Sequence, residues 1–250
     1  MRESISRIFT LTKRNIKEII RDPLSLVFTI LLPLFMEILF YLLFHKLTAQ
    51  FEMKYLAPGI VVFSQAFLTL FTGLLITVDR NSSFLTRLYV SKAKSYEFIL
   101  SYAFSVLPIS FVQAILFFLV GGIFDTSLFG LEMLLAILMG LITSQFFIAV
   151  GILFGSLCNE KSIGGISSIV IVGQSVLSGM WFPTEGLDSA MITTMKCLPF
   201  KNSTMLIQNI ILGINDVFAD FVLPLIIILG YTIVAFIAAI LVFGNKMKSK

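Results

Sequence analysis

One carboxylate and four glutamine amides sit inside stretches that are largely apolar: Glu37, Gln65, Gln113, Gln145 and Gln174. A carboxylate in such surroundings can relay a proton or hold a cation, and amides can line a polar path or bond one helix to another. Little else in the chain suits covalent chemistry. His45 is the single histidine, so neither a histidine-based metal site nor a Ser/His/Asp set can be assembled around it. There is no GxxxxGK[ST] loop, which removes that device for nucleotide hydrolysis. Cys158 and Cys197 are too few for a thiolate metal site. The chemistry on offer is that of a few polar groups held in an apolar medium.

That medium is set by the composition. The chain is 250 residues long, 58% hydrophobic and 13% charged, with a mean hydropathy of +1.00 and 26 phenylalanines. A soluble domain carries about a quarter charged residues, so this chain cannot cover its apolar surface in water. Six runs match the roughly 20 residues that cross a hydrocarbon core: 23–44, 55–78, 98–124, 133–159, 162–184 and 221–245. Only Glu37 carries a formal charge within them. Burying it ionised costs about 2.5 kcal/mol or more, so it must face protein or water, or be carried neutral. The glutamines are read as interhelical ties. The expected fold is an all-α membrane protein of six spans.

Charge orients it. With residue 1 inside, fourteen of the eighteen Lys and Arg fall on the cytoplasmic side, leaving Lys46, Lys54, Lys196 and Lys201 outside. Cytoplasmic segments keep such an excess, so both termini are expected in the cytoplasm of a multi-pass protein of the cell membrane. The net charge of +4 is topological and gives no case for nucleic acid. Cys158 and Cys197 then lie near opposite faces and cannot pair. No cleavable leader is expected, because the first apolar run is of full span length and follows a charged segment.

Three pieces are not plain spans. Residues 1–22 form an interfacial segment, in which Ile5, Ile8, Phe9, Ile16, Ile19 and Ile20 recur at helical spacing and Arg7, Arg14, Lys17 and Arg21 lie mostly on other faces. This predicts an amphipathic helix in the inner headgroup region, ending in an elbow at Asp22-Pro23. Residues 184–216 are apolar but broken by Gly186 and Pro199. They suit either short re-entrant helices or a loop on the outer surface, with Trp181 and Phe182 at headgroup level. Residues 79–97 read "DRNSSFLTRLYVSKAKSYE". There Phe84, Leu85, Leu88 and Tyr89 make a short apolar face among Arg80, Arg87, Lys92 and Lys94. That face either lies on the inner leaflet or enters a groove on another protein. The GxxxG of Gly151 and Gly155 fits packing within the chain as well as dimerisation.

Taken in order, "KEIIRDPLSLVFTILLPLF", "YLAPGI", "DRNSSFLTRLYVSKAKSYEFILSY", "LSGMWFPTEGL" and a later "LPF" resemble the permease subunits of type 2 ATP-binding-cassette exporters. Ser82 and Ser83 replace the usual Gly-Thr of the loop, and Lys92 stands where proline is common. The resemblance implies a single permease domain over 1–250 that pairs with a second permease copy and docks a separate cytoplasmic ATPase. ATP and magnesium would sit on that ATPase, with no cofactor on this chain. Coupling would fall to Phe84, Leu85, Leu88 and Tyr89, with Arg80 and Arg87 at the rim. Arg14, Lys17 and Arg21 would serve the interfacial helix. Glu37, Gln65 and Gln174 would border the translocation path, and Trp181, Phe182 and Pro183 an outer gate. An amphiphilic or hydrophobic cargo (drug, antibiotic, peptide or lipid-linked molecule) would move outward. A proton-coupled carrier or channel dependent on Glu37 is the alternative.

Overall fold

The structure, a computed structural model, describes residues 2–81, 94–182 and 186–248. Nine α-helices follow one another among these residues: α1 (Arg2–Ile20), α2 (Pro23–Phe44), α3 (Met53–Asn81), α4 (Ser95–Phe124), α5 (Leu131–Leu157), α6 (Glu160–Leu177), α7 (Ser189–Cys197), α8 (Pro199–Leu212) and α9 (Leu223–Lys248). Five segments are long and apolar enough to cross a membrane: α2, α3, α4, α5, and α9 together with the π-helical turn Val217–Val222 before it.

The boundaries follow from local chemistry. Pro23 opens α2, and Asp22 caps it by accepting from the Ser25 amide at 3.3 Å, so the elbow falls where the sequence puts it. Asn159 caps α6 in the same way, through the Ser162 amide at 3.0 Å. The fifth predicted span is shorter than its apolar run. Helix α6 stops at Leu177, and Gly179 turns the chain at a φ of 71°, a left-handed geometry that favours glycine. Its first turn holds Glu160 and Lys161, and α6 is not among the five membrane-length helices. The polar stretch between the second and third runs is also shorter than its composition suggests. Helix α3 continues through Asp79 and Arg80 to Asn81, and α4 begins at Ser95.

Helix α3 is the axis of the bundle. Its apolar window is 78% buried, against 17% for α2 and 22% for the last span, and it packs against α2, α4, α5, α6 and α8. Close packing on α5 depends on glycine. A Cβ at Gly151 would come within 2.6 Å of the Thr69 carbonyl oxygen, and one at Gly155 within 2.7 Å of the Gly73 carbonyl oxygen. The GxxxG motif is therefore spent inside the chain, bringing two backbones together.

Two apolar clusters fill the interior. One gathers Leu56, Ile60, Phe117, Phe118, Phe147 and Ile207 toward the Met53 end of α3. The other gathers Ile19, Ile76, Phe98, Tyr102, Ile152 and Phe243 toward the Asn81 end, where α1 lies. Outside, α2 and α9 present Leu24, Phe28, Leu31, Phe35, Ile233 and Leu241 to the surroundings. An apolar exterior of this extent calls for lipid or protein cover.

Candidate functional site

Helix α1 has three faces, set by the 3.6-residue repeat. Ser4, Arg7, Leu11, Arg14, Asn15 and Ile19 turn toward the bundle, where α1 packs along α4. Ile5, Phe9 and Ile20 are exposed, as a membrane-surface stripe would be. Beside that stripe Lys13, Lys17 and Arg21 are exposed one turn apart. The structure thus separates the basic residues of α1: Lys17 and Arg21 face outward, while Arg14, like Arg7, is drawn inward by a carboxylate.

Those carboxylates are Asp79 and Glu97, 2% and 0% exposed. Arg14 forms a fork with Asp79, one arm at 2.6 Å, and the Tyr102 hydroxyl donates to Asp79 Oδ2 at 2.6 Å. Arg7 forms a second fork with Glu97, at 3.0 Å through Nε and 2.9 Å through Nη2. Glu97 also accepts from the Ser4 hydroxyl and from the Lys94 amide at 3.2 Å. Bidentate arginine–carboxylate pairs fix angle as well as distance. Two of them, two turns apart, hold α1 as a rigid strut across the ends of α3 and α4. The Glu97 hydrogen bond, ahead of opposing burial, raises the Arg7 guanidinium above its ordinary value, so Arg7 stays charged.

The last turn of α3 reaches further. Arg80 Nη1 lies 2.8 to 2.9 Å from the carbonyl oxygens of Gly155, Ser156 and Cys158. A guanidinium there meets the orphan acceptors and the negative dipole end of α5. Asn81 Nδ2 donates to Glu160 Oε2 at 3.1 Å, on the first turn of α6. Three successive residues, Asp79, Arg80 and Asn81, therefore bind α1, α4, α5 and α6 to the point where the loop leaves α3. Sequence reasoning singled out Arg80 but missed Arg7, Asp79, Glu97 and Tyr102. The available signal was two acids bracketing the loop and two arginines seven residues apart. Phe84, Leu85, Arg87, Leu88 and Tyr89 lie outside the described residues.

The other polar candidates are dispersed. Gln65 donates to the Gly140 carbonyl at 2.8 Å and accepts from the Thr143 hydroxyl at 2.8 Å, joining α3 to α5. Gln174 donates to Thr204 Oγ1 at 3.0 Å, joining α6 to α8. Gln113 donates to the Thr29 carbonyl at 3.0 Å. Pro33 in α2 has no N–H for that acceptor, so Gln113 supplies the missing donor. Glu37 is fully enclosed near Gly121, and neither of its oxygens has a hydrogen-bond partner among the described residues. At the far end of the bundle Trp181 packs edge-on to Phe40 at 4.7 Å and donates to Ser175 Oγ at 2.9 Å. Phe182 is half-buried beside it, and Pro183 lies outside the described residues. No cluster of three metal-ligating side chains occurs among the described residues.

The sequence model of the ABC-2 type transporter family matches residues 6–212. The chain belongs to that family. A protein of Cyanophora paradoxa named as a transport permease, ycf38, is 35% identical over 127 residues, covering 48% of this chain and 43% of the relative. The chain thus matches less than half the length of that relative. Members of this family are membrane transport components, and the several apolar helices of this chain are those of a multi-pass membrane protein.

Proposed function

We propose that this chain is the membrane half of an ATP-driven exporter, working as a pair of permease copies with a separate ATPase docked on each. In this reading α6 completes a set of six spans, the α1 end of the bundle faces the cytoplasm, and α7 and α8 dip into the outer leaflet. The ATPase engages residues 79–97 through Phe84, Leu85 and Leu88, with ATP and magnesium bound on that partner. The cargo is amphiphilic or hydrophobic and moves outward.

The observation that carries this reading is the joint at Asp79, Arg80 and Asn81, which ties the loop base to four helices. A push on the loop reaches α1, α4, α5 and α6 together, because each contact is a charged or buried hydrogen bond that does not slip. Loading this one turn of α3 so heavily suits force transmission. Leu85→Asp and Leu88→Asp test it. The expected result is normal membrane insertion, loss of the copurifying ATPase and loss of export. Export at the wild-type rate overturns the coupling assignment.

Glu37 favours a second reading, since a buried carboxylate with no hydrogen-bond partner among the described residues suits a proton-coupled carrier. Proteoliposomes holding this chain alone separate the two. Transport without an ATPase, abolished in Glu37→Gln, supports the carrier; transport only with ATPase and ATP supports the exporter.

A further inference from the structure

The elbow between α1 and α2 opens into a cavity of about 250 Å³ walled by Ile19, Ser25, Phe71, Leu74, Leu75 and Val78. A second groove, about 330 Å³, continues from it between α2 and α3 and shares Ser25, Phe71 and Leu74 with the first. Its remaining walls are apolar apart from Thr29, and include Leu24, Phe28, Leu32 and Phe67. Leu24 and Phe28 are 66% and 59% exposed, so the groove is open along its length. At its mouth the acids are already committed: Glu18 pairs with Arg14 at 3.5 Å, and Asp22 caps α2. The cations are not. Arg21, on the rim, and Lys17, one turn before it, have no acidic partner among the described residues, and Lys13 extends the same exposed row. The exposed stripe of Ile5, Phe9 and Ile20 sets α1 at headgroup depth.

We propose that this elbow is a binding site for an anionic phospholipid of the inner leaflet, with its phosphate at Lys17 and Arg21 and one acyl chain in the α2–α3 groove. The charge at the mouth selects the headgroup and the apolar trough selects the chain. The site lies on the face of α3 away from the packed α5 seam, so a lipid enters it from the bilayer without parting any helix pair. It does not rest on the exporter reading, since lipid binding needs neither ATPase nor cargo.

The test is native mass spectrometry of the full chain, released from micelles containing equal amounts of phosphatidylglycerol and phosphatidylcholine with the same acyl chains. Wild type should retain phosphatidylglycerol preferentially. Lys17→Gln and Arg21→Gln should each lower that retention about five-fold, the usual worth of one basic residue near an anionic surface. Leu74→Trp, which fills the trough, should lower retention of both lipids. Lys46→Gln, on an exposed residue elsewhere, should change nothing. Two results overturn the assignment. One is equal retention by wild type and the Lys17/Arg21 double variant. The other is lipid on the single chain but never on a dimer, because a second copy then occupies the groove.

Discussion

Replacing Arg14 with Met tests the strut directly. The substitution strips the guanidinium fork from Asp79, which is 2% exposed and keeps the Tyr102 hydroxyl among its partners. Removing one partner of a buried ion pair costs about 3–5 kcal/mol. The Arg14 side chain is 27% exposed, so solvent screening brings the expected loss to about 2 kcal/mol. For a chain of this size that lowers Tm by roughly 4–8 °C. The assay is thermal loss of helical circular dichroism in one detergent, for wild type, Arg14→Met, Asp79→Asn and the double variant. If the fork carries the stability, the double variant loses far less than the sum of the singles, with a coupling of about 1–2 kcal/mol. Coupling under about 0.5 kcal/mol, the scatter expected of independent sites, would refute the idea that α1 is held by charge pairing and leave apolar packing around Ile19 as its anchor.

The other predictions concern the same bundle. Gly155→Leu forces a side chain against the Gly73 backbone; overpacking costs about 1–3 kcal/mol or more, and the variant should show lowered Tm and expression, while Gly164→Leu, which meets nothing within 4 Å, should not. Gln113→Met leaves the Thr29 carbonyl beside Pro33 without its donor, at a cost of about 0.6–1.7 kcal/mol; hydrogen exchange should quicken in the middle of α2 and stay unchanged in α9. Arg80→Met uncaps α5; faster exchange confined to residues 153–158 and the start of α6 is expected, and unchanged exchange there means Arg80 only neighbours that end.

Much of the architecture was legible because it follows from solvent and covalent geometry. Apolar runs of span length gave α2, α3, α4, α5 and α9 their places, and Asp22-Pro23 marked the elbow. What hid was pairing across long separations. Asp79 and Glu97 looked like the edges of a polar loop, because nothing local tells a carboxylate at a helix end that an arginine on another helix will reach it. The same blindness merged the two polar faces of α1: helical spacing separates isoleucines from cations but not cations that pair from cations left exposed. The shortened α6 was missed because apolar character continues through Met180 and Trp181 after the backbone has turned at Gly179. At the loop base only Arg80 was picked out beforehand, and its hold on α5 comes from carbonyls, which carry no signature in the side-chain sequence.

The strut also imposes an order on biogenesis. Arg14 lies 65 residues before its carboxylate and Arg7 lies 90 before its own, so α1 leaves the ribosome well ahead of anything it can grip. At about 5–20 residues per second the delay is several seconds. During that interval Ile5, Phe9 and Ile20, which stay exposed in the finished bundle, are free to meet another apolar surface. Arg14 can dock only once α3 has been made and Arg7 only once α4 has begun, making closure of α1 a late step that reports whether α3 and α4 lie in register.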